Sequence, residues 1–214
     1  MPAEFSVFLS KMAIFPIDEK HLLTLASASP RRRQLLAQVH VPFRVVASCI
    51  CEESESGSPE DFCQKLALLK AEEVASREKD SWILGADTIV VIGEKVLGKP
   101  ENQGDARKML SLLSGREHRV ITGFGVLDPS GKTVHAESVS TQVRFKPLSE
   151  EELSGYIKTS EPFGKAGAYA IQGVGSFMVE SISGSYTNVV GLPVCALIKA
   201  LLKCGALRSF PFKR

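Results

Sequence analysis

The stretch LLTLASASPRRRQLL, residues 22–36, decides the fold class. Its first five residues make an apolar run of strand length that stops at a Ser-x-Ser-Pro turn. Ser29 is a favoured helix N-cap, Pro30 suits the first helical position, and Leu35, Leu36 and Val39 begin an apolar face. A buried strand that feeds a helix in this way is the building unit of an α/β sheet. Arg31, Arg32 and Arg33 then crowd the first turn, at the positive pole of the helix, where each cation is unfavourable by a few tenths to about 1 kcal/mol. The triplet is either a solvated basic turn or one wall of an anion site. Its place, between a strand end and the free amides of a helix start, favours the anion site.

The rest of the chain follows the same alternation. FRVVAS (43–48) is a second strand, followed by the polar loop CEESESGSPED. Ser58, Pro59 and Glu60 open a long helix to about Arg77, with Phe62, Leu66, Leu69 and Val74 near one face. WILGAD is read as a buried strand that ends at Asp87, continuing into a hairpin that turns at Gly93, Glu94 and Lys95. A helix spans about 104–113, and two long strands near 118–127 and 133–145 flank the turn DPSGK. Ser149 and Glu152 form a capping box for the next helix. GKAGAYAIQGVGSFMV is a glycine-rich loop running into a strand, and an apolar helix before Gly205 closes the fold. The expectation is an α/β fold: a mixed, twisted sheet with helices on both faces and a cleft at strand ends. Residues 1–20 are expected to extend ahead of one domain, 21–206, built as two lobes around a cleft, with 207–214 as a tail.

Composition narrows the function classes. The 214 residues are 44% hydrophobic and 23% charged, with a net charge of +2, too small for a general nucleic-acid binder. No apolar run approaches the roughly 20 residues that cross a bilayer. Glu4 precedes the short apolar stretch near the N-terminus, which makes a poor signal peptide, and Met12 is an alternative start. Five cysteines, at 49, 51, 63, 195 and 204, are odd in number and lack framework spacing, as expected of reduced thiols in the cytoplasm. Cys49 and Cys51 have no second Cys/His pair for zinc, and the four histidines show no ligand spacing.

Several polar residues stand out against their surroundings. Asp87 and Thr88 interrupt an apolar strand, either as a turn or as a carboxylate that holds a cation or activates water. Glu52 and Glu53 follow a strand in a serine-rich loop. Lys70 sits at the edge of an apolar helix face, as a snorkelling lysine would, and Lys99 lies in LGKP beyond the hairpin. Tyr169 is placed either to stack on a base or to fill the core, and Gln172 to read a base edge. Singly, each has a bland reading; together they supply carboxylates for a hard cation and cations for a polyphosphate. No GxxxxGK[ST] is present, so a P-loop is excluded.

In combination, LASASPRRRQLL, CEE, LALLKA, LGADTIV, LGKP, LLSGREHRVITG, EPFGKAGAYAIQG and GSYTNVVGLP resemble the Maf-type nucleoside triphosphate pyrophosphatases, in that family's order from about residue 22 to 203. The resemblance implies a Maf/inosine triphosphatase-like fold and a cytoplasmic hydrolase that cleaves the α–β phosphoanhydride of a nucleoside triphosphate with a divalent cation such as Mg, Mn or Co. By motif, Asp87 would be the proton acceptor for the attacking water and, with Glu52, would bind the metal. Arg31, Lys70 and Lys99 would hold phosphates, with Ser27 and Ser29 shaping their loop. Arg32, Thr88 and Gln172 fall where the branch selective for dTTP and UTP carries its selectivity residues. Ala170 stands where that family commonly has Gly. The implied partner is a small-molecule nucleotide, with no stable nucleic-acid or membrane association and a homodimer as the assembly. The alternatives are a 7-methyl-GTP or modified-purine pyrophosphatase, or a non-catalytic nucleotide-binding regulator of septum formation.

Overall fold

The computed structural model describes residues 15–50 and 57–211. Strand β1 (Leu23–Leu25) runs into helix α1 (Pro30–Gln38), and β2 (Phe43–Val45) lies parallel to β1. After α2 (Pro59–Arg77) comes the long β3 (Ile83–Ile92), which turns at residues 93–94 and returns as β4 (Lys95–Leu97). Then follow α3 (Gln103–Leu113), β5 (Glu117–Leu127), β6 (Thr133–Phe145) and α4 (Glu150–Lys158). Two 3-10 turns lead to β7 (Val179–Ser183), and α5 (Tyr186–Val190) and α6 (Val194–Lys203) complete the described chain.

The sheet has the order β2-β1-β3-β5-β6-β7. Its β1 pairings are parallel and the rest antiparallel, the mixed α/β sheet expected. One feature of the register positions the site. β5 runs along one edge of β3 from Ile83 to Val91. On the opposite edge β1 pairs only with Ile83 and Leu84, and β4 only with residues 90–92. Between them, from Gly85 to Ile89, that edge of β3 has no strand partner among the described residues.

Helix α2 forms as its sequence dictates. Ser58 Oγ accepts the Asp61 amide at 3.1 Å, Glu60 and Asp61 sit in the first turn, and Arg77 in the last. Its buried side carries mostly small residues, Cys63, Ala67 and Ala71, together with Leu66 and Val74. The facing sheet is equally bare, because the register sets Gly85 against Gly125 and Asp87 against Gly123. A Cβ on Gly85 would lie 2.0 Å from the Ala67 carbonyl oxygen, and one on Gly123 2.4 Å from that of Cys63. The helix backbone therefore rests directly on a glycine-paved surface, with the side chain of Asp87 rising among the glycines. Beyond this face, α1 and α6 cover the other side of the sheet around Leu84, Phe124 and Val126.

Several expectations need correction. β3 does not end at Asp87 but continues through Ile92, so the carboxylate is mid-strand, facing the trough left by the glycines. Leu69, expected on the apolar face of α2, is 39% exposed, because close contact requires the small residues to face the sheet. The packed unit also extends past both expected bounds. Ile17 is buried and donates its amide to the Ala206 carbonyl at 2.7 Å, and Leu207 is buried in the same core. The short helix α5 was not anticipated.

The close approach sets an expectation for stability. Gly85→Ala should destabilise the fold by about 2–3 kcal/mol through overpacking, lowering the midpoint of thermal unfolding by roughly 5–10 °C. Gly155→Ala, at an open position of α4 with nothing near its missing Cβ, should instead be stabilising by about 0.5–1 kcal/mol. Calorimetric melts of the two variants check the contrast.

Candidate active site

A cleft of about 400 Å³ opens over the unpartnered edge of β3. Ser27, Ser29, Arg31 and Arg32 line it from the β1–α1 turn, Lys70 from α2, and Asp87 and Thr88 from β3. Lys99 lines it from beyond β4, and Lys165, Tyr169 and Gln172 from the loop after α4. Glu52, Glu53 and Cys51 lie outside the described residues. Because strand side chains alternate, Asp87 projects from the face that α2 covers and Thr88 from the other, so the cleft straddles the strand edge.

Asp87 is 7% exposed and accepts a hydrogen bond from Lys70 Nζ at 2.5 Å on Oδ1. The pair exists because α2 lies so close to β3. Among the described residues that line the cleft, Asp87 is the one acid, set against Arg31, Arg32, Lys70, Lys99 and Lys165. Such a cleft selects polyanions. Beneath Asp87, Cys63 Sγ lies 3.2 Å from its carbonyl oxygen and 3.1 Å from the Gly123 nitrogen. Burial above all, then the Asp87 charge, pushes the Cys63 thiol up to about 12, so it is no nucleophile.

The three arginines that opened the sequence have separate fates. Arg32 is buried and tied on three sides: Nε donates to the Gly191 carbonyl at 2.8 Å, Nη1 to Ser27 Oγ at 2.9 Å and Nη2 to Thr88 Oγ1 at 3.0 Å. Thr122 Oγ1 donates to the Asn188 carbonyl at 3.1 Å, so it must accept from Thr88 Oγ1, 3.0 Å away. The protons thus run one way, from Arg32 through Thr88 and Thr122 to a backbone carbonyl. Arg31 is half-buried, with Nε donating to the Val190 carbonyl at 3.3 Å, and burial, then Arg32, lowers its pKa. Arg33 is exposed and does not line the cleft. Ser29 occupies the N-cap position, yet its side chain makes no capping bond; its amide turns back to Ser27 Oγ at 3.3 Å.

Tyr169 resolves the other way from stacking. Its ring is buried edge-on against Phe145 and its hydroxyl pairs with His118 Nε2 at 2.9 Å, so it anchors the loop to the core. Lys99 and Gln172 are exposed at the rim. Reasoning from sequence passed over Lys165, Thr122 and Asn188. Thr122 had a signal, a hydroxyl in an otherwise apolar strand; Lys165 and Asn188 were inside recognisable motifs without a distinguishing pattern.

The model for the family described as "Maf-like protein" matches residues 22–204. A protein of Syntrophotalea carbinolica named dTTP/UTP pyrophosphatase is 53% identical over 93% of this chain and 92% of its own. One from Geobacter sulfurreducens with the same name is 51% identical over 88% and 100%. A solved nucleoside-triphosphatase / dITP/XTP pyrophosphatase of Mycobacterium abscessus aligns with 59% of this chain and 74% of its own at 14% identity and a TM-score of 0.39, too remote a likeness to carry weight.

The anchor beneath the cleft is sensitive to acid. His118 is 2% exposed, its Nδ1 has no hydrogen-bond partner among the described residues, and burial lowers its pKa from 6.5 to about 4. An unfolded chain takes up this proton near pH 6.5 and the folded one only near 4, so stability falls as pH drops through that window, by up to about 3 kcal/mol. In His118→Gln, melts recorded from pH 7 to 4 should show a flatter decline than the wild type.

Proposed function

Because the chain belongs to the Maf-like protein family, we propose that it hydrolyses dTTP and UTP to the monophosphate and pyrophosphate. The observation that carries the reading is the Asp87–Lys70 pair opening onto a cleft whose other charged lining residues, among those described, are all cations. A triphosphate supplies the counter-charge that the cleft lacks, and Asp87 is the one described carboxylate within reach of it.

In this reading Asp87 takes a proton from a water as its oxygen attacks the α-phosphorus. The new P–O bond forms, the α–β anhydride bond breaks, and pyrophosphate departs with the bond's electron pair. Lys70 holds the carboxylate in one orientation, which is positioning rather than chemistry. Arg31, Lys70 and Lys99 neutralise charge on the phosphate oxygens, a role in which fixed cations exceed water. Ser27 and Ser29 shape the turn beneath them. Arg32 acts through its hold on Thr88, Ser27 and Gly191, fixing the floor against which a base would sit. Gln172, exposed at the rim, offers a donor and an acceptor to a pyrimidine edge.

A divalent cation fits this donor set. Among the described residues no cluster of three or more His, Cys, Asp or Glu comes together. A single buried carboxylate, Asp87, facing a phosphate cleft is what a hard cation takes when it arrives with the nucleotide, and Glu52 would be the second ligand. Bound there, Mg, Mn or Co would withdraw charge from the phosphates. The four described cysteines are free thiols, in keeping with a cytoplasmic enzyme.

A nucleotide panel read by pyrophosphate release tests the activity. dTTP and UTP should exceed CTP, GTP and 7-methyl-GTP by at least about tenfold in kcat/KM, and EDTA should abolish turnover. Preference for 7-methyl-GTP, or binding without turnover, would overturn the assignment. Asp87→Asn should lower kcat by roughly 10²–10⁴-fold, the range for loss of a general base, with the melting temperature and nucleotide affinity little changed. Near-wild-type turnover would remove Asp87 from the mechanism.

A further inference from the structure

We propose that Lys165 and Arg31 form an anion subsite of their own, which holds the terminal phosphates of the substrate and, after cleavage, the pyrophosphate. The proposal rests on the pyrophosphatase reading above and adds to it a residue and a division of the cleft.

The division follows from which face of β3 each group occupies. Asp87 and Lys70 sit on the face covered by α2. The loop carrying Lys165 crosses the opposite face: a Cβ on Gly167 would lie 2.9 Å from the side chain of Val90, which projects away from α2. Arg31 reaches the same side, held at the Val190 carbonyl. A chain of phosphates lying across the open edge of β3 would therefore meet Asp87 at one end and the Arg31 and Lys165 charges at the other.

Lys165 is built to stay in place and stay charged-side out. Its Nζ donates to the Glu161 carbonyl at 2.6 Å and the Phe163 carbonyl at 3.4 Å, leaving one of its three hydrogens for the cleft. The neighbouring Glu161 carboxylate acts to raise its pKa but makes no ion pair with it among the described residues. Glu161 Oε1 and Oε2 are engaged by the Tyr156 hydroxyl and by the amides of Val174 and Gly175 at 2.9–3.0 Å. Lys165 is half-buried beside a second half-buried cation, and neither makes an ion pair among the described residues. Burial first, then the Arg31 charge, lowers its pKa, with Glu161 opposing the shift. A phosphate group between them relieves both costs, since an ammonium and a guanidinium each make charge-assisted bonds to it.

Titration calorimetry of inorganic pyrophosphate and of UMP into the full-length chain, at one salt concentration, separates the two ends. Lys165→Gln should weaken pyrophosphate binding by about ten- to a hundredfold and leave UMP affinity within about twofold. Lys165→Arg, which keeps the charge, should restore pyrophosphate affinity to within about threefold. Unchanged pyrophosphate affinity in Lys165→Gln, or an equal loss of UMP affinity, would overturn the subsite. Should Lys165→Gln not fold, Arg31→Gln reads the same subsite from its other side, with the same two outcomes. Absence of pyrophosphate release from every triphosphate by the wild-type chain would sink the underlying reading, while the titrations would still decide whether the subsite exists.

Discussion

Helix α2 can lie with its carbonyl groups against the β3–β5 pair only because Gly85 and Gly123 present no side chains there, and Gly125 leaves room for Leu68 beside them. That contact organises the rest of the molecule. It demands a small-residue face on the helix, which turns Leu69 outward and brings Cys63, Ala67 and Ala71 inward. It also brings Lys70 within hydrogen-bonding distance of Asp87, the polar side chain standing among the glycines. An aspartate this buried would be costly alone, and a lysine so placed is its compensation. The pair is thus a consequence of backbone proximity.

The second constraint is the incomplete edge of β3. Parallel β1 leaves it after Leu84 and β4 joins it only at Val90, so a stretch of strand backbone is left for the cleft. The β1–α1 turn crosses this gap and delivers the arginines to it. Arg32 is consumed in holding the turn to β3 and to Gly191, and its hydrogen bonds run on through two threonine hydroxyls into the sheet. Such a directed chain fixes the floor of the cleft, because each link already has a donor and an acceptor. Arg31, one residue earlier, stays available to the cleft. One residue along a helix rotates the side chain by about 100°, enough to point neighbouring arginines in different directions.

The periodic elements were legible in the sequence. The apolar runs, the Ser58 and Ser149 caps and the Gly93 turn placed most elements, and the alternation of strands and helices implied the mixed sheet. Local cues failed where a residue's role depended on a distant partner. WILGAD looked like a strand ending in a carboxylate, because nothing in the segment reveals that a glycine on β5 makes room for Asp87 in mid-strand. Tyr169 looked equally suited to stacking or to the core, and its choice was made by His118 and Phe145, more than twenty residues away. Ser29 has the right identity for a cap, but the turn leaves its hydroxyl elsewhere.

The sequence by itself determined the fold class, the order of its elements and the identity of most of the charged residues that line the cleft, because helix and strand periods, caps and turns are properties of adjacent residues. It also carried the family, through motifs spread from residue 22 to 204. Only the tertiary structure decided that Arg31 and Arg32 line the cleft while Arg33 does not, that Lys70 meets Asp87, and that Lys165 lines the same cleft from the loop after α4. Those outcomes depend on how closely a helix approaches a sheet and on which face of a strand each loop crosses. Both are set by contacts between residues far apart in the chain.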